Sequence, residues 1–468
     1  MTRVMVWNID QFDITKLQAI GFNDDPIYGV KPFEMSLGHQ SYISSNLMPI
    51  HPGGIAIAPD ILVILEVSTL HQPQNNIPGL LDDGLGGQGA TDLLDIIRGA
   101  TGNNHWMLVP PLQTGVSDSV AVYYDSTHLA FAGPRIWPGA QGPAVDPNQI
   151  PAPATAAYPG MFAGVLPNRQ VPATLPNAGA QEDICAANTT FHVAPGYPNA
   201  GNVVNFGNNR TPYQVSFGEL DGTGTVIRQI DLFAVHGPAN KGRARTFIQQ
   251  LSQLAEVAVA PTANQVKVVL GDFNLNLTEN IQNAAQHQLQ QEASYVNLTG
   301  LGYQMALTVP APVPYDPTDP QTFSGYTGYF ATHMRTLAQA TYWYVSNTAD
   351  FYPGYGIIGS GSSSVRDYSY DNILVRFGMT AGGPMGEVSV MNGIVPQPFA
   401  QVNPPPHNAP AGFYTWPVQM ADQRYANPPD RIIDQTRNEA SDQAILRQWN
   451  NYGRIISTSD HMALIATI

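Results

Sequence analysis

The chain has 468 residues, a formal net charge of −15, 43% hydrophobic residues and only 12% charged ones, the last against roughly a quarter in ordinary globular chains. That balance supplies a large core but excludes a tight, metal-independent grip on nucleic acid, because a polyanion is held mainly by Lys and Arg displacing counterions and lysine is confined to Lys16, Lys31, Lys241 and Lys267. The single cysteine, Cys185, excludes an intramolecular disulfide framework and a thiolate zinc site, and no apolar run approaches the ~20 residues of a membrane span.

The first element is an apolar strand from about Arg3, Val4-Met-Val-Trp-Asn8, which ends on an amide. It leaves no room upstream for a signal peptide, so the expected location is the cytosol, or outside the cell by a non-classical route. Asp60 to Val67 is almost wholly apolar and carries Glu66 near its end, the mark of a strand covered on both faces. Gly84-Leu-Gly-Gly-Gln-Gly89 matches a dinucleotide-binding glycine pattern, but it does not directly follow its strand and has no acidic strand end about 20 residues on. It is expected to be a flexible loop. A helix should follow over Thr91–Arg98, capped by Thr91 or Asp92, with Leu94 and Ile97 facing inward.

Val120–Tyr124 and Leu129–Ala132 read as a hairpin. Residues 133–213 are crowded with Pro, Gly, Ala and Asn and read as a long ordered loop. A strand then ends Ile230-Asp-Leu-Phe-Ala-Val-His236, and Arg243–Val257 places Phe247, Leu251, Leu254 and Val257 at helical spacing. The next strand ends Leu270-Gly-Asp272-Phe-Asn274, and another begins at Asp371. Residues 382–431 form a second Pro-rich stretch, a helix is expected over 434–449, and the final strand follows Ser459-Asp460-His461. Both Pro-rich stretches read as insertions in one domain spanning 1–468, because the candidate site draws on both ends of the chain.

In four of these strands the polar group follows the apolar run; in the last two it precedes it. Strands running up a sheet finish at the edge where antiparallel strands running down begin, so all six groups can share one rim. Hydrolysis of a phosphate ester needs charge neutralisation, an activated water and help for the departing oxygen. Asp and Glu oxygens suit Mg²⁺ or Mn²⁺, and a His–Asp pair suits proton abstraction. Taken singly, Asn8 reads as a strand-end turn former, His236 as a core histidine and Asp460-His461 as a surface pair. Six such groups in order read as a site.

The motifs Trp7-Asn8-Ile9, Leu65-Glu66-Val67, Val235-His236-Gly237, Gly271-Asp272-Phe273-Asn274, Tyr370-Asp371-Asn372-Ile373 and Ser459-Asp460-His461 resemble those of the endonuclease/exonuclease/phosphatase superfamily. They cover the chain from first strand to last, apart from the insertions. The resemblance implies a four-layer α/β/β/α sandwich of two mainly antiparallel sheets (DNase I-like), with long loop insertions. It implies Glu66 as principal ligand of Mg²⁺ or Mn²⁺, with Asn8 and Asp460 beside the ion, and Asp272 and Asn274 orienting water or phosphate. His461 is the implied general base, held in its tautomer by Asp371, and His236 the implied donor to a phosphoryl oxygen. The carboxylate that pairs with His236 in some members has no match in the sequence.

Tyr123, Tyr124, Lys241, Arg243, Arg245 and Arg366 are candidates to grip substrate. His71 and His105 read as surface residues, and Tyr342, Tyr344, Tyr368 and Tyr370 as strand packing. The resemblance points first to a phosphodiester hydrolase acting on nucleic acid, an endonuclease in kind. A phospholipase C or sphingomyelinase, an inositol-phosphate phosphatase, and a binding or effector protein on a vestigial hydrolase core stay open as alternatives.

Overall fold

The computed structural model describes residues 1–18, 39–40, 43–44, 46–47, 58–68, 85–113, 118–135, 192–206, 209–277, 291–308, 332–333, 351–352, 356–357, 369–386, 388–390 and 458–468. Their strands are β1 (Arg3–Phe12), β2 (Ile61–Ser68), β3 (Trp106–Gln113), β4 (Asp118–Asp125), β5 (Leu129–Arg135), β6 (Tyr213–Leu220), β7 (Val226–His236), β8 (Gln265–Asp272), β9 (Gln304–Met305), β10 (Phe351–Tyr352), β11 (Gly356–Ile357), β12 (Asp371–Phe377), β13 (Val388–Val390) and β14 (Leu464–Thr467). One sheet runs β13-β14-β1-β2-β4-β3 and the other β5-β6-β7-β8-β12-β9, with β10 and β11 paired separately. Each large sheet is antiparallel except for one central parallel pair, β1–β2 and β7–β8. These four strands point the same way within their sheets, and β14 and β12 run back beside them.

The sheets face each other through β1 and β8, β2 and β7, and β12 and β14. A helix covers each outer face. Helix α2 (Leu85–Thr101) buries Ala90, Leu93, Leu94 and Ile97 on one stripe against the first sheet, the i, i+3, i+4, i+7 spacing of an amphipathic helix. Helix α3 (Lys241–Gln253) starts on Asn240, whose side chain accepts from the Gly242 and Arg243 N–H groups, and buries Phe247, Ile248 and Leu251. Short α4 (Ala255–Ala258) continues it. Lys267 of β8 donates to the Val259 carbonyl at 2.8 Å and Tyr303 to the Val257 carbonyl at 3.0 Å, fastening this layer to the second sheet. The result is the expected α/β/β/α sandwich.

Several sequence expectations are corrected. Helix α2 begins at Leu85, not Thr91, and takes in the glycine pattern. Gly86, Gly87 and Gly89 are buried in its first turns, where a Cβ on Gly89 would lie 2.6 Å from the Asp13 carbonyl carbon. The glycines therefore serve close packing against α1 (Ile14–Leu17), not a flexible loop. The supposed hairpin is a crossing between sheets: β4 pairs with β2 and β3, β5 with β6. Asp125 makes the turn by accepting from the Thr127 N–H and hydroxyl.

The helix expected over Arg243–Val257 breaks at Leu254, which leaves helical geometry and pairs with Val193. Part of the first Pro-rich stretch thus packs on α3, through Val193 and through Phe206 against Phe247. In the second stretch, residues 388–390 form β13 instead of loop. Residues 434–449, where a helix is expected, and Arg366, His71, Tyr342, Tyr344 and Tyr368 lie outside the described residues.

Candidate functional site

The parallel pairs bring their polar ends together. In the second sheet His236 stands beside Asp272, and Asp272 opposite Asp371; in the first, Asn8 stands beside Leu65, next to Glu66. Two glycines allow this approach. A Cβ on Gly271 would lie 2.0 Å from the Val235 carbonyl oxygen, and one on Gly237 2.3 Å from that of Phe273.

Asn8 bridges the sheets: its Nδ2 donates to Glu66 Oε1 at 3.0 Å and to Asp272 Oδ2 at 3.2 Å. Its buried Oδ1 has no hydrogen-bond partner among the described residues, a state that costs about 1–3 kcal/mol unless something else satisfies it. Asn274 donates through its N–H to Asp272 Oδ1 at 2.7 Å and through Nδ2 to the Gly237 carbonyl at 2.9 Å. His236 Nε2 lies 3.3 Å from Glu66 Oε1 and 3.7 Å from Asp272 Oδ2, so these two carboxylates flank the histidine for which the sequence offered none.

His461 Nδ1 meets Asp371 Oδ2 at 2.8 Å, and its Nε2 is 3.7 Å from Asp272 Oδ2. The first sheet holds it by main chain: Trp7 Nε1 donates to the His461 carbonyl at 2.9 Å, Ser459 Oγ donates to the Asn8 carbonyl at 2.6 Å, and the His461 N–H donates to Ser459 Oγ at 2.8 Å. Burial opposes a charge on this ring, but Asp371 and then Asp272 outweigh it and raise the imidazole pKa well above its ordinary value. Burial pushes the Asp371 carboxyl up. Asp460 is held below the usual carboxylate range: burial would raise it, but the hydrogen bond from His333 and the charge of His461 prevail.

The assembled donors form three groups, of which the third, Asp272, Asp371 and His461, overlaps both of the others. Glu66, His236 and Asp272 can each offer an atom within 4.8 Å of the others, as can His333, Asp460 and His461. Asp460 therefore clusters with the histidines, while Glu66 pairs with Asp272 and Asn8. The oxygen-rich first group, with the orphaned Asn8 Oδ1, suits a hard divalent cation such as Mg²⁺ or Mn²⁺. Site residues unnoticed in the sequence are Asp10, Lys16 and His333. Burial raises the Asp10 carboxyl, Lys16 opposes that rise, and the charges of Asp460 and Glu66 add to it. Lys16 Nζ donates to the Thr458 carbonyl at 2.7 Å, and burial lowers its pKa. Asp10 was findable, being two positions beyond Asn8 on one strand; His333 sits in an aperiodic stretch and gave no signal.

The substrate-gripping candidates fare differently. Tyr124 is buried, pairs with Ile61 at the opposite end of β2 from Glu66, and packs against Phe131 and Phe217, so it belongs to the core and not to the site. Tyr123 is equally buried and donates to the Ala90 carbonyl. Arg245 binds Glu292 through two hydrogen bonds of 2.9 and 2.7 Å, and Lys241 lies 3.8 Å from the same carboxylate. Arg243 is exposed on the first turn of α3, and His105 is exposed away from the rim.

Two α-flanked sheets, each with a central parallel pair, deliver six ordered polar groups to one shared rim. The fold is a four-layer α/β/β/α sandwich. No family model and no curated protein matches the chain. Solved structures similar to this chain include a humanized D. rerio TDP2, at 10% identity over 99% of this chain and 97% of that one, TM-score 0.36. A beta toxin from Staphylococcus aureus is similar at 8% identity over 100% and 99%, TM-score 0.36. The inositol polyphosphate 5-phosphatase domain of SpSynaptojanin, in complex with inositol (1,4)-bisphosphate and calcium, is similar at 10% identity over 99% and 83%, TM-score 0.31. Among the described residues no helix is long and apolar enough to cross a membrane.

Proposed function

We propose that the chain is a divalent-metal-dependent phosphodiester hydrolase, with nucleic acid as the first substrate to test. The observation that supports this is the buried pairing of His461 with Asp371 beside the oxygen-rich group of Glu66, Asp272 and Asn8. With Nδ1 directed at Asp371, Nε2 is the nitrogen left to take a proton from water. The oxygen so activated forms a new bond to phosphorus while the ester oxygen on the opposite side departs with the bonding pair. Glu66, Asp272 and Asn8 would hold the cation. When bound, that cation neutralises phosphoryl charge and offsets the carboxylates facing His461. Asn274 fixes Asp272, and His236 is placed to donate to a phosphoryl oxygen once its present carboxylate neighbours engage the ion.

A second reading, a smaller phosphate ester such as a lipid head group or an inositol phosphate, is favoured by the engagement of Arg245, one of the few cationic candidates to grip a polyanion, by Glu292. Plasmid DNA, RNA, sphingomyelin and inositol phosphates, each assayed with Mg²⁺ and with EDTA, separate the two. Replacing His461 with Ala is expected to lower turnover ~10²–10⁴-fold while the protein stays folded; near-normal turnover would remove the mechanism.

A further inference from the structure

Beside His461 stand two donors, His333 and Asp460, that the proposed hydrolysis does not use. Thr332 and His333 are tied in from both sides. The Met462 N–H donates to the Thr332 carbonyl at 2.8 Å, His333 forms a β-bridge with His461, and Thr332 Oγ1 accepts from the Tyr370 and Asp371 N–H groups at 3.1 and 3.0 Å. The His333 ring then meets the edge of the His461 ring at 4.7 Å. Its Nε2 lies 3.3 Å from Asp460 Oδ2, and Asp460 Oδ1 lies 3.8 Å from His461 Nε2.

Two imidazole nitrogens and one carboxylate oxygen are a softer donor set than the oxygens around Glu66, and they suit Zn²⁺ or Co²⁺ better than Mg²⁺. Bonds of ~2.0–2.1 Å to a tetrahedral ion set its ligand atoms roughly 3.4 Å apart, and His333, Asp460 and His461 can each offer an atom within 4.8 Å of the others. His461 already has its other nitrogen on a carboxylate, as metal-bound imidazoles do. The Asp460 side chain is 43% exposed, which leaves the group open to solvent.

We propose that His333, Asp460 and His461 form a second cation seat that selects Zn²⁺ or another late first-row divalent ion, and that filling it switches hydrolysis off. A lone pair on His461 Nε2 given to a metal cannot accept a proton from water. The binding half stands alone; the inhibitory half rests on the function proposed above.

The test titrates the full chain, stripped with EDTA, with Co²⁺ followed by visible absorption and with Zn²⁺ followed by calorimetry, both in millimolar Mg²⁺. The expected result is one ion per chain with the absorption of a nitrogen- and oxygen-ligated Co²⁺. Affinity should fall by at least about 10–100-fold in His333→Ala, the loss that even an outer-shell partner of a metal ligand causes, and be retained in Glu66→Gln. His333→Gln, closer in size, and circular dichroism guard against misfolding. Unchanged Co²⁺ affinity in both folded His333 variants overturns the seat, as does displacement by Mg²⁺ or an equal loss in Glu66→Gln. Micromolar Zn²⁺ should also inhibit Mg²⁺-supported hydrolysis. If the wild-type chain hydrolyses none of the substrates, the proposed function fails while the Co²⁺ titration still decides the seat.

Discussion

Three non-glycine residues around the rim hold left-handed backbones: Gln11 at φ 47, Glu66 at φ 58 and Asn274 at φ 49. Such conformations cost roughly 1–3 kcal/mol each and persist where surrounding contacts fix them. Here the Gln11 N–H reaches Glu66 Oε2 at 3.3 Å, Asn8 holds Oε1, and Asn274 is locked on Asp272. Strain thus gathers on the residues that aim carboxylates into the pocket. A different residue carries a pH-dependent liability. His39 is buried with Nδ1 3.0 Å from the Lys16 carbonyl; burial, then the charge of Lys16, push its pKa down from 6.5 to about 4. Between those values the unfolded chain binds more protons than the folded one, so stability falls as pH drops through that window, by ~3 kcal/mol in all. Urea unfolding at pH 7 and pH 4.5 should show His39→Gln losing about 2–3 kcal/mol less than wild type. Equal losses would mean that His39 takes its proton without penalty. The site residues legible in the sequence were short polar groups closing apolar strands. His333 escaped notice because its place depends on bridges to His461, which no local pattern announces.

At the scale of elements, glycines set how closely the rim strands approach. Gly271 has φ 141 and would drive a Cβ to 2.0 Å from the Val235 carbonyl oxygen. Gly271→Ala must therefore either strain β8 or part it from β7, and a loss of about 3 kcal/mol or more is expected in urea melts. Gly89→Ala, whose Cβ would meet the Asp13 carbonyl carbon at 2.6 Å and the first nitrogen of α1 at 2.7 Å, should cost about 1–3 kcal/mol with activity less affected. A Gly271→Ala protein as stable as wild type would show that the two strands have room to give. The buried strands were readable because two covered faces demand uninterrupted apolar runs, as in Ile61–Ser68. The β4–β5 connection reads as a hairpin because a tight turn specifies reversal, not which sheet the next strand joins. That choice is made by Phe131 packing with Tyr124 and Phe217. The first turn of helix α2 is hidden in the sequence because glycine is a poor helix former, a local preference overridden by the contact with α1.

For the whole molecule, the rim is an electrostatic seam. Asn8 and Glu66 belong to one sheet and His236, Asp272 and Asp371 to the other, with Asp460 and Asp10 adding negative charge and Lys16 interacting with Asp10, Asp460 and Glu66. Opposed carboxylates across a sheet interface repel, and a cation bound between them acts on both sheets at once. If Mg²⁺ binds the folded rim and not the unfolded chain, it stabilises the fold by RT ln(1 + [Mg²⁺]/Kd), about 2.7 kcal/mol at a hundred times Kd. Because the ligands come from both sheets, calorimetry should show the main unfolding transition moving upward in Mg²⁺ and downward in EDTA, with no separate early transition for either sheet. Glu66→Gln removes a charged ligand while keeping the shape of the side chain, so its Tm should respond much less to Mg²⁺. A full response in Glu66→Gln would place the ion elsewhere, and a response confined to a minor transition would mean that the two sheets unfold independently.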